Sequence, residues 1–350
     1  MNALTRGVLL ALGAALTFGL STPLIQRAGE GVGAFTVAAL LYLGAAGLAG
    51  PLGGMRLPPR EGWRTLAAMG VAGACVAPAL LAAGLARSSG VAASLLLNLE
   101  AVFTVILGAL VHREQIGGRV WWAVGLIACG GALLGLERAH GGAGGIVLQP
   151  GLLLVAGATL AWAADNTLSR ALSEADPLTV VFGKGLIGAA LSTVLAATAG
   201  EGIPPIGPSL ALLAVGAVGY GASLRLYLLA QRELGSARTG SVFAVGPFAG
   251  ALAAALAGEP LGGLLAVVGG ALLIAGVWLH LTEDHDHDHD HPALTHTHTH
   301  RHDDGHHDDH AADVDHAGID PARPHAHTHT HAPRAHRHAH GEDIHHRHHG

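Results

Sequence analysis

Lysine is nearly absent from this chain. Lys184 is the only one in 350 residues, and there are only two cysteines, Cys75 and Cys129. Both cysteines lie inside long apolar runs, so a disulfide framework is excluded and they read as small buried hydrophobes. No nucleophile–base motif and no phosphate-cradling loop occurs, which argues against an enzyme. Residues 1–281 also lack the alternation of apolar and polar positions that a soluble domain needs. They hold 14 basic and 11 acidic residues, with long stretches free of charge. Aliphatic residues are scarce from 282 onward, so that segment has no core to bury and is expected to be disordered. Nor is there a basic surface for nucleic acid, since 282–350 carries five arginines against 14 acidic residues.

What fills the first 281 residues is Ala, Leu, Gly and Val. Runs of about 20 apolar residues are long enough to cross a hydrocarbon layer about 30 Å thick. Ten such spans are predicted, at 6–26, 33–50, 65–86, 89–111, 119–137, 150–171, 177–199, 208–230, 237–256 and 261–281. Breaks between them hold the usual punctuation, including Pro58-Pro59, Gly141-Gly142, Asp176-Pro177, Pro204-Pro205 and Glu259-Pro260. The first span reads as a retained helix rather than a cleaved signal peptide. With the N-terminus in the cytoplasm, nine arginines (6, 56, 60, 64, 113, 119, 170, 232, 238) fall inside and three (27, 87, 138) outside. The expected location is the bacterial cytoplasmic (inner) membrane, with both termini cytoplasmic.

The spans repeat. Gly13 to Thr22 aligns with Gly157 to Asn166, Gly90 to Ser94 with Gly235 to Thr239, and Glu114 to Gly118 with Glu259 to Gly263, at a constant offset of 144 or 145. Five spans per half is an odd number, so the halves insert with opposite orientation. Inverted repeats around a midplane site are a transporter architecture. The expected domains are therefore 1–140, 141–281 and a tail, 282–350.

That tail carries 23 of the 26 histidines. His285, His287, His289, His291, His296, His298 and His300 recur forty residues later as His325, His327, His329, His331, His336, His338 and His340. Spacing is kept while the residues between change from Asp to Ala or Thr. Imidazole and carboxylate suit borderline divalent cations such as Zn²⁺, Ni²⁺, Co²⁺ and Cu²⁺, so these histidines are the candidate metal ligands. No cofactor is required elsewhere.

The segment Gly90 to Glu114, its partner Gly235 to Glu259 with Gly246-Pro247-Phe248, and the repeat as a whole resemble the EamA family of the drug/metabolite transporter superfamily over about residues 6–281. The resemblance implies ten helices, a central cavity from helices 1–4 and 6–9, peripheral helices 5 and 10, and secondary transport of a small molecule, often export. Some family members are similar in carrying His-rich tails. Val102 stands where the second half has Pro247, so the kink usual in the fourth helix lacks its proline.

Ionisable residues within spans are functional candidates because of their desolvation cost. Here they are Glu100 beside Asn98 in the fourth span, Asp165 with Asn166 in the sixth, Lys184 in the seventh and Arg225 in the eighth. Asp165 and Lys184 are equidistant from the turn near Glu174, which predicts a pair. Arg225 would meet an anionic substrate group or Glu100; snorkelling to the interface is the alternative for Arg225 and Lys184. Glu100 is the candidate proton-coupling residue, and Tyr220, Tyr227, Trp162 and Phe18 are candidate cavity walls. Three functions fit: export of a small metabolite or drug-like molecule with a metal-binding tail, export of a divalent metal fed by the tail, or a non-transporting metal buffer or sensor. The expected partners are the lipid bilayer and a small-molecule or metal-ion substrate, and a homodimer is compatible with the pattern.

Overall fold

A computed structural model describes residues 3–112, 117–136, 149–172, 175–234, 236–281, 286–291, 294–300, 325–331 and 334–339. The chain divides into a helical unit running to Glu283 and a second unit over Asp284–Gly341. His285, His340, Glu114 and Gly235 from the motifs above lie outside the described residues.

Leu and Ala favour helix by intrinsic propensity, and a helix satisfies its own backbone where no water is at hand. The helical unit accordingly contains α1 (Ala3–Ala28), α2 (Ala34–Leu52), α3 (Trp63–Val71), α4 (Ala77–Leu85), α5 (Gly90–Leu96), α6 (Leu99–Leu107) and α7 (Gly118–Leu136). The second half follows with α8 (Pro150–Ser169), α9 (Pro177–Thr198), α10 (Ile206–Val215), α11 (Ser223–Leu234), α12 (Ser236–Phe243), α13 (Gly246–Leu256) and α14 (Leu264–Leu281). Among the described residues, seven helical segments are long and apolar enough to cross a membrane, and three shorter apolar helices accompany them. Large side chains such as Trp122 (74% exposed) and Leu264 (77%) face outward, as they would toward lipid. Leu41, Leu81, Leu97, Leu212 and Tyr220 fill the centre.

The repeat is visible in the backbone. α3 runs into α4 through a π-turn at Ala72–Val76, and α10 into α11 through another at Gly216–Ala222, starting 144 residues later. Gly44 on α2 and Gly188 on α9, also 144 apart, meet different neighbours. A Cβ on Gly44 would overlap the carbonyl of Leu213, and one on Gly188 would meet the carbonyl of Ala74 at 2.6 Å. Helices thus approach at glycine where side chains would hold them apart. The same device joins α7 to α14, where a Cβ on Gly130 would stand 2.7 Å from the carbonyl of Gly269.

The predicted fourth and ninth spans are each two helices. α5 stops before Leu97–Asn98 although Val102 occupies the proline position, so the missing proline does not leave this helix straight. The Asn98 amide donates to the Leu95 carbonyl at 2.9 Å, and Glu100 N bonds back only three residues, to Leu97 at 3.0 Å. Asn98 N also donates to the Leu95 carbonyl at 3.2 Å, so a side-chain amide and a tightened turn together replace the α-ladder. In the other half Pro247, which has no N–H to give, follows the break between α12 and α13.

In the second unit, where the sequence leads one to expect disorder, four stretches are described as strands. β1 (Asp286–His291) pairs antiparallel with β4 (Arg334–Ala339), and β2 (Leu294–His300) with β3 (His325–His331). Low aliphatic content bears on core burial, but the strict alternation, with Thr at every second place of β2, is a strand period.

Candidate functional site

Three residues of α8, Trp162, Asp165 and Asn166, fall on one helical face at i, i+3 and i+4. They line a cavity of about 100 Å³ together with Glu100 of α6, Lys184 of α9, Phe18 of α1 and Tyr42 of α2. The π-turn residue Tyr220, with Ser223, Leu224 and Tyr227 beyond it and Phe243 of α12, closes the wall. Asn166 is exposed where the cavity opens. Neither α7 nor α14 contributes to this lining.

Lys184 Nζ donates to Asp165 Oδ2, with both side chains about 5% exposed. Helices α8 and α9 are consecutive but pack mainly against α2, α3, α4 and α6 rather than on each other, so the ion pair bridges them at a level equidistant from their connection. Pairing there offsets the desolvation of both charges, and Lys184 does not snorkel to an interface. A Cβ on Gly73 would collide with the Asp165 carboxylate. The Gly73 carbonyl accepts from Tyr42 OH at 2.6 Å and from Trp162 Nε1 at 3.1 Å. A π-turn widens the ladder, and here its carbonyl orients two walls of the cavity.

Glu100 Oε1 accepts from Asn166 Nδ2 at 2.7 Å. That partner is a neutral amide; among the described residues of this cluster Asp165 and Lys184 offset each other, and no cation is hydrogen-bonded to Glu100. The partner considered for it in the sequence, Arg225, sits half-buried outside the cavity lining. Tyr220, Leu224 and Tyr227 occupy the cavity face of this segment, and Arg225 is about 100° around the axis from Leu224. Asn98 does not line the cavity either; it is 4% exposed and serves the helix break.

Phe18 is the aromatic hub, with ring centroids 5.8 Å from Trp162, 5.9 Å from Tyr220 and 5.4 Å from Phe243. Tyr42 meets Tyr220 edge-on at 5.4 Å and Tyr227 meets Phe243 at 5.0 Å. Among the described residues, Asp165 Oδ1 and the Tyr220 hydroxyl are buried without a hydrogen-bond partner. The cavity therefore offers polar atoms, one carboxylate hydrogen-bonded to a neutral amide and a wall of rings, which is equipment for binding a small molecule. Tyr42, Phe243 and Gly73 were not singled out from sequence. Tyr42 had a signal, as one of only three tyrosines in the chain.

Carboxylates tie the helix ends far from the cavity mouth. Glu201 accepts from Phe35 N (3.1 Å), Thr36 N (2.7 Å) and Thr36 Oγ1 (2.7 Å) at the start of α2. Glu259 accepts from Gly90 N at 2.6 Å, capping α5. Both place negative charge at a helix N-terminus. Gln26 Nε2 donates to the Ser88 carbonyl at 3.1 Å, and Arg27 Nη2 to that of Ala257 at 3.0 Å. At the opposite end, Arg6 and Glu233 are 3.5 Å apart. Among the described residues no three His, Cys, Asp or Glu side chains converge as a metal site; the histidine side chains of the second unit are outside that set.

Comparison with known proteins bears on the fold and the family. An uncharacterized transporter of Methanothermobacter thermautotrophicus is 28% identical over 206 residues, which are 58% of this chain and 60% of that relative. The chain thus matches less than two thirds of that relative's length. A crystal structure of a protein 19% identical superposes with a TM-score of 0.59, over 79% of this chain and 98% of that one, a likeness of fold. The EamA-like transporter family matches residues 5–136 and again 149–282. A repeated match across most of the chain, on helices built to cross a membrane, means that this multi-pass membrane protein belongs to the EamA-like transporter family.

Proposed function

We propose that the chain is a proton-coupled exporter of a small organic metabolite or drug-like molecule, working through the aromatic-walled cavity, with a C-terminal tail that binds divalent metal. The observation that carries this is Glu100, a carboxylate inside the cavity whose hydrogen-bond partner is the neutral Asn166 amide. A carboxylate so placed is neutralised either by a proton or by substrate, so loading one displaces the other as the bundle alternates. Ten spans in two inverted halves, with both termini in the cytoplasm, fit the arginine distribution. In that orientation the cavity mouth at Asn166 faces the cytoplasm, and the Glu201 and Glu259 contacts seal the outer side. Lys184 and Asp165 link α8 to α9 across the cavity wall and present Asp165 Oδ1 to the bound molecule.

Export of a divalent metal is the second reading, favoured by the tail histidines. Six aromatic rings and a lysine in the cavity lining weigh toward an organic substrate, since soft cations prefer Cys and His at a transport site. Flux in proteoliposomes under an imposed proton gradient separates the readings. Full-length protein, a truncation after Thr282 and Glu100→Gln would be compared for Zn²⁺, Ni²⁺ and Co²⁺ and for pooled cell metabolites. Metabolite flux that survives truncation and is lost in Glu100→Gln supports the proposal. Metal flux with that same behaviour would make the chain a metal exporter. Tail binding is tested separately. Free imidazole has a pKa of about 6.5 and binds metal only when neutral, so tail affinity should fall by more than about tenfold from pH 7.5 to 5.5.

A further inference from the structure

We propose that the C-terminal ribbon is a metal ladder, in which histidines facing one another across two antiparallel strands share divalent cations. This rests on the reading that the tail binds metal, and adds to it a geometry. The register sets five rungs: His287 opposite His338, His289 opposite His336, His296 opposite His329, His298 opposite His327, and His300 opposite His325. One register runs through both strand pairs, since partner numbers always sum to 625.

The sequence contains the device that makes this work. Histidines occupy odd positions from 287 to 291 and even positions from 296 to 300, and the second copy repeats the change of parity, odd from 325 to 331 and even from 336 to 338. Antiparallel pairing sets the first run of one copy against the second run of the other, odd against even. A slip of one residue abolishes all five rungs: His287 would then face Arg337 or Ala339, and His298 would face Ala326 or Thr328. A slip of two in either direction still leaves histidines facing histidines, so the ladder tolerates that slip. Alternation along a strand also keeps the other residues on the second face, where Thr297 is level with Thr328 and Asp288 with Arg337.

Facing residues in an antiparallel pair have Cβ atoms about 4.5–5.5 Å apart, and successive rungs on one face are about 7 Å apart. Two imidazoles per rung are a half-set for a four-coordinate ion, and neighbouring rungs complete it. The rungs of His287 and His289 form one such set, and those of His296 and His298 a second. A two-stranded ribbon without an apolar face is marginal alone; bound cations would supply the missing stabilisation.

The test is a parity swap in the full-length protein, titrated with Ni²⁺ by calorimetry. In β2, His296, His298 and His300 each become Thr while Thr295, Thr297 and Thr299 each become His, which conserves composition. A matching swap in β3 exchanges His325, His327 and His329 with Ala326, Thr328 and Thr330. The ladder requires two tightly bound ions per chain in the parent protein, one after the β2 swap alone, and two again when both swaps are combined. Unchanged binding after the single swap, or failure of the combined swap to restore it, overturns the ladder and leaves the tail as a chelator by composition. Binding no greater than that of the truncation after Thr282 overturns both readings.

Discussion

The two halves of the helical unit share a backbone and divide the chemistry. Each half has a π-turn at the same repeat position, a broken helix, and a glycine, Gly44 or Gly188, where a neighbouring helix comes close. At equivalent positions the side chains diverge. Ser21 stands where the second half has Asp165, Leu40 where it has Lys184, and Val76 where it has Tyr220. Glu100 answers to Val245. Ser21 Oγ only bonds back to the Phe18 carbonyl of its own helix at 2.5 Å, whereas Asp165 reaches across to Lys184. Duplication thus supplied a symmetric frame, and substitution at a few of its cavity positions made one asymmetric polar cluster.

The comparison breaks most sharply at Lys184. Lys184→Leu alone leaves Asp165 buried without its partner and should cost about 3–5 kcal/mol, read as a drop in the thermal midpoint of the purified protein. Combining it with Asp165→Ser gives the second half the residues of the first, and most of the loss should return. If the double variant is as unstable as the single one, the pair is not an isolated device. Next come Gly44→Ala and Gly188→Ala. Each forces a methyl group toward the backbone of a neighbouring helix, at about 1–3 kcal/mol. Similar losses at both positions would support a shared frame, and a loss at only one would refute it.

A smaller effect is expected at Asn98, whose amide replaces what Pro247 does in the other half. Asn98→Ala removes one side-chain hydrogen bond and should cost about 1 kcal/mol; a neutral result would mean that the break depends on neighbouring packing instead. Least of all should Glu100→Gln change stability, since it keeps the shape and can still pair with Asn166, yet it should abolish proton-coupled flux. A large drop in the thermal midpoint would give Glu100 a structural role.

Much of this frame was legible in the sequence. The constant offset of 144 or 145, the apolar runs and the equal depth of Asp165 and Lys184 came from counting residues. Glu100, Asn166, Tyr220, Phe18, Trp162 and Tyr227 do meet at one cavity. Arg225 and Asn98 do not, and Tyr42, Phe243 and Gly73 went unremarked. Periodicity finds a helix's inner face by contrast between apolar and polar sides. α2, α8 and α9 are apolar nearly all round, so the face of Tyr42 was invisible while the depth of Asp165 and Lys184 could still be counted. α11 does have a polar side, but Arg225 is the immediate neighbour of the cavity residue Leu224, a distinction that only packing makes.

By itself, then, the order of residues determined that this is a membrane protein, how it is duplicated, at what depth its charges lie and how its tail histidines are spaced. Those properties are one-dimensional, set by length, count and transfer cost. Only the tertiary structure decided that Glu100 meets Asn166, that a carbonyl in a π-turn holds Tyr42 and Trp162, and that α5 ends at an asparagine rather than a proline. Each of these depends on which helix faces which, and that is settled by close packing of small residues against backbones far away in the chain.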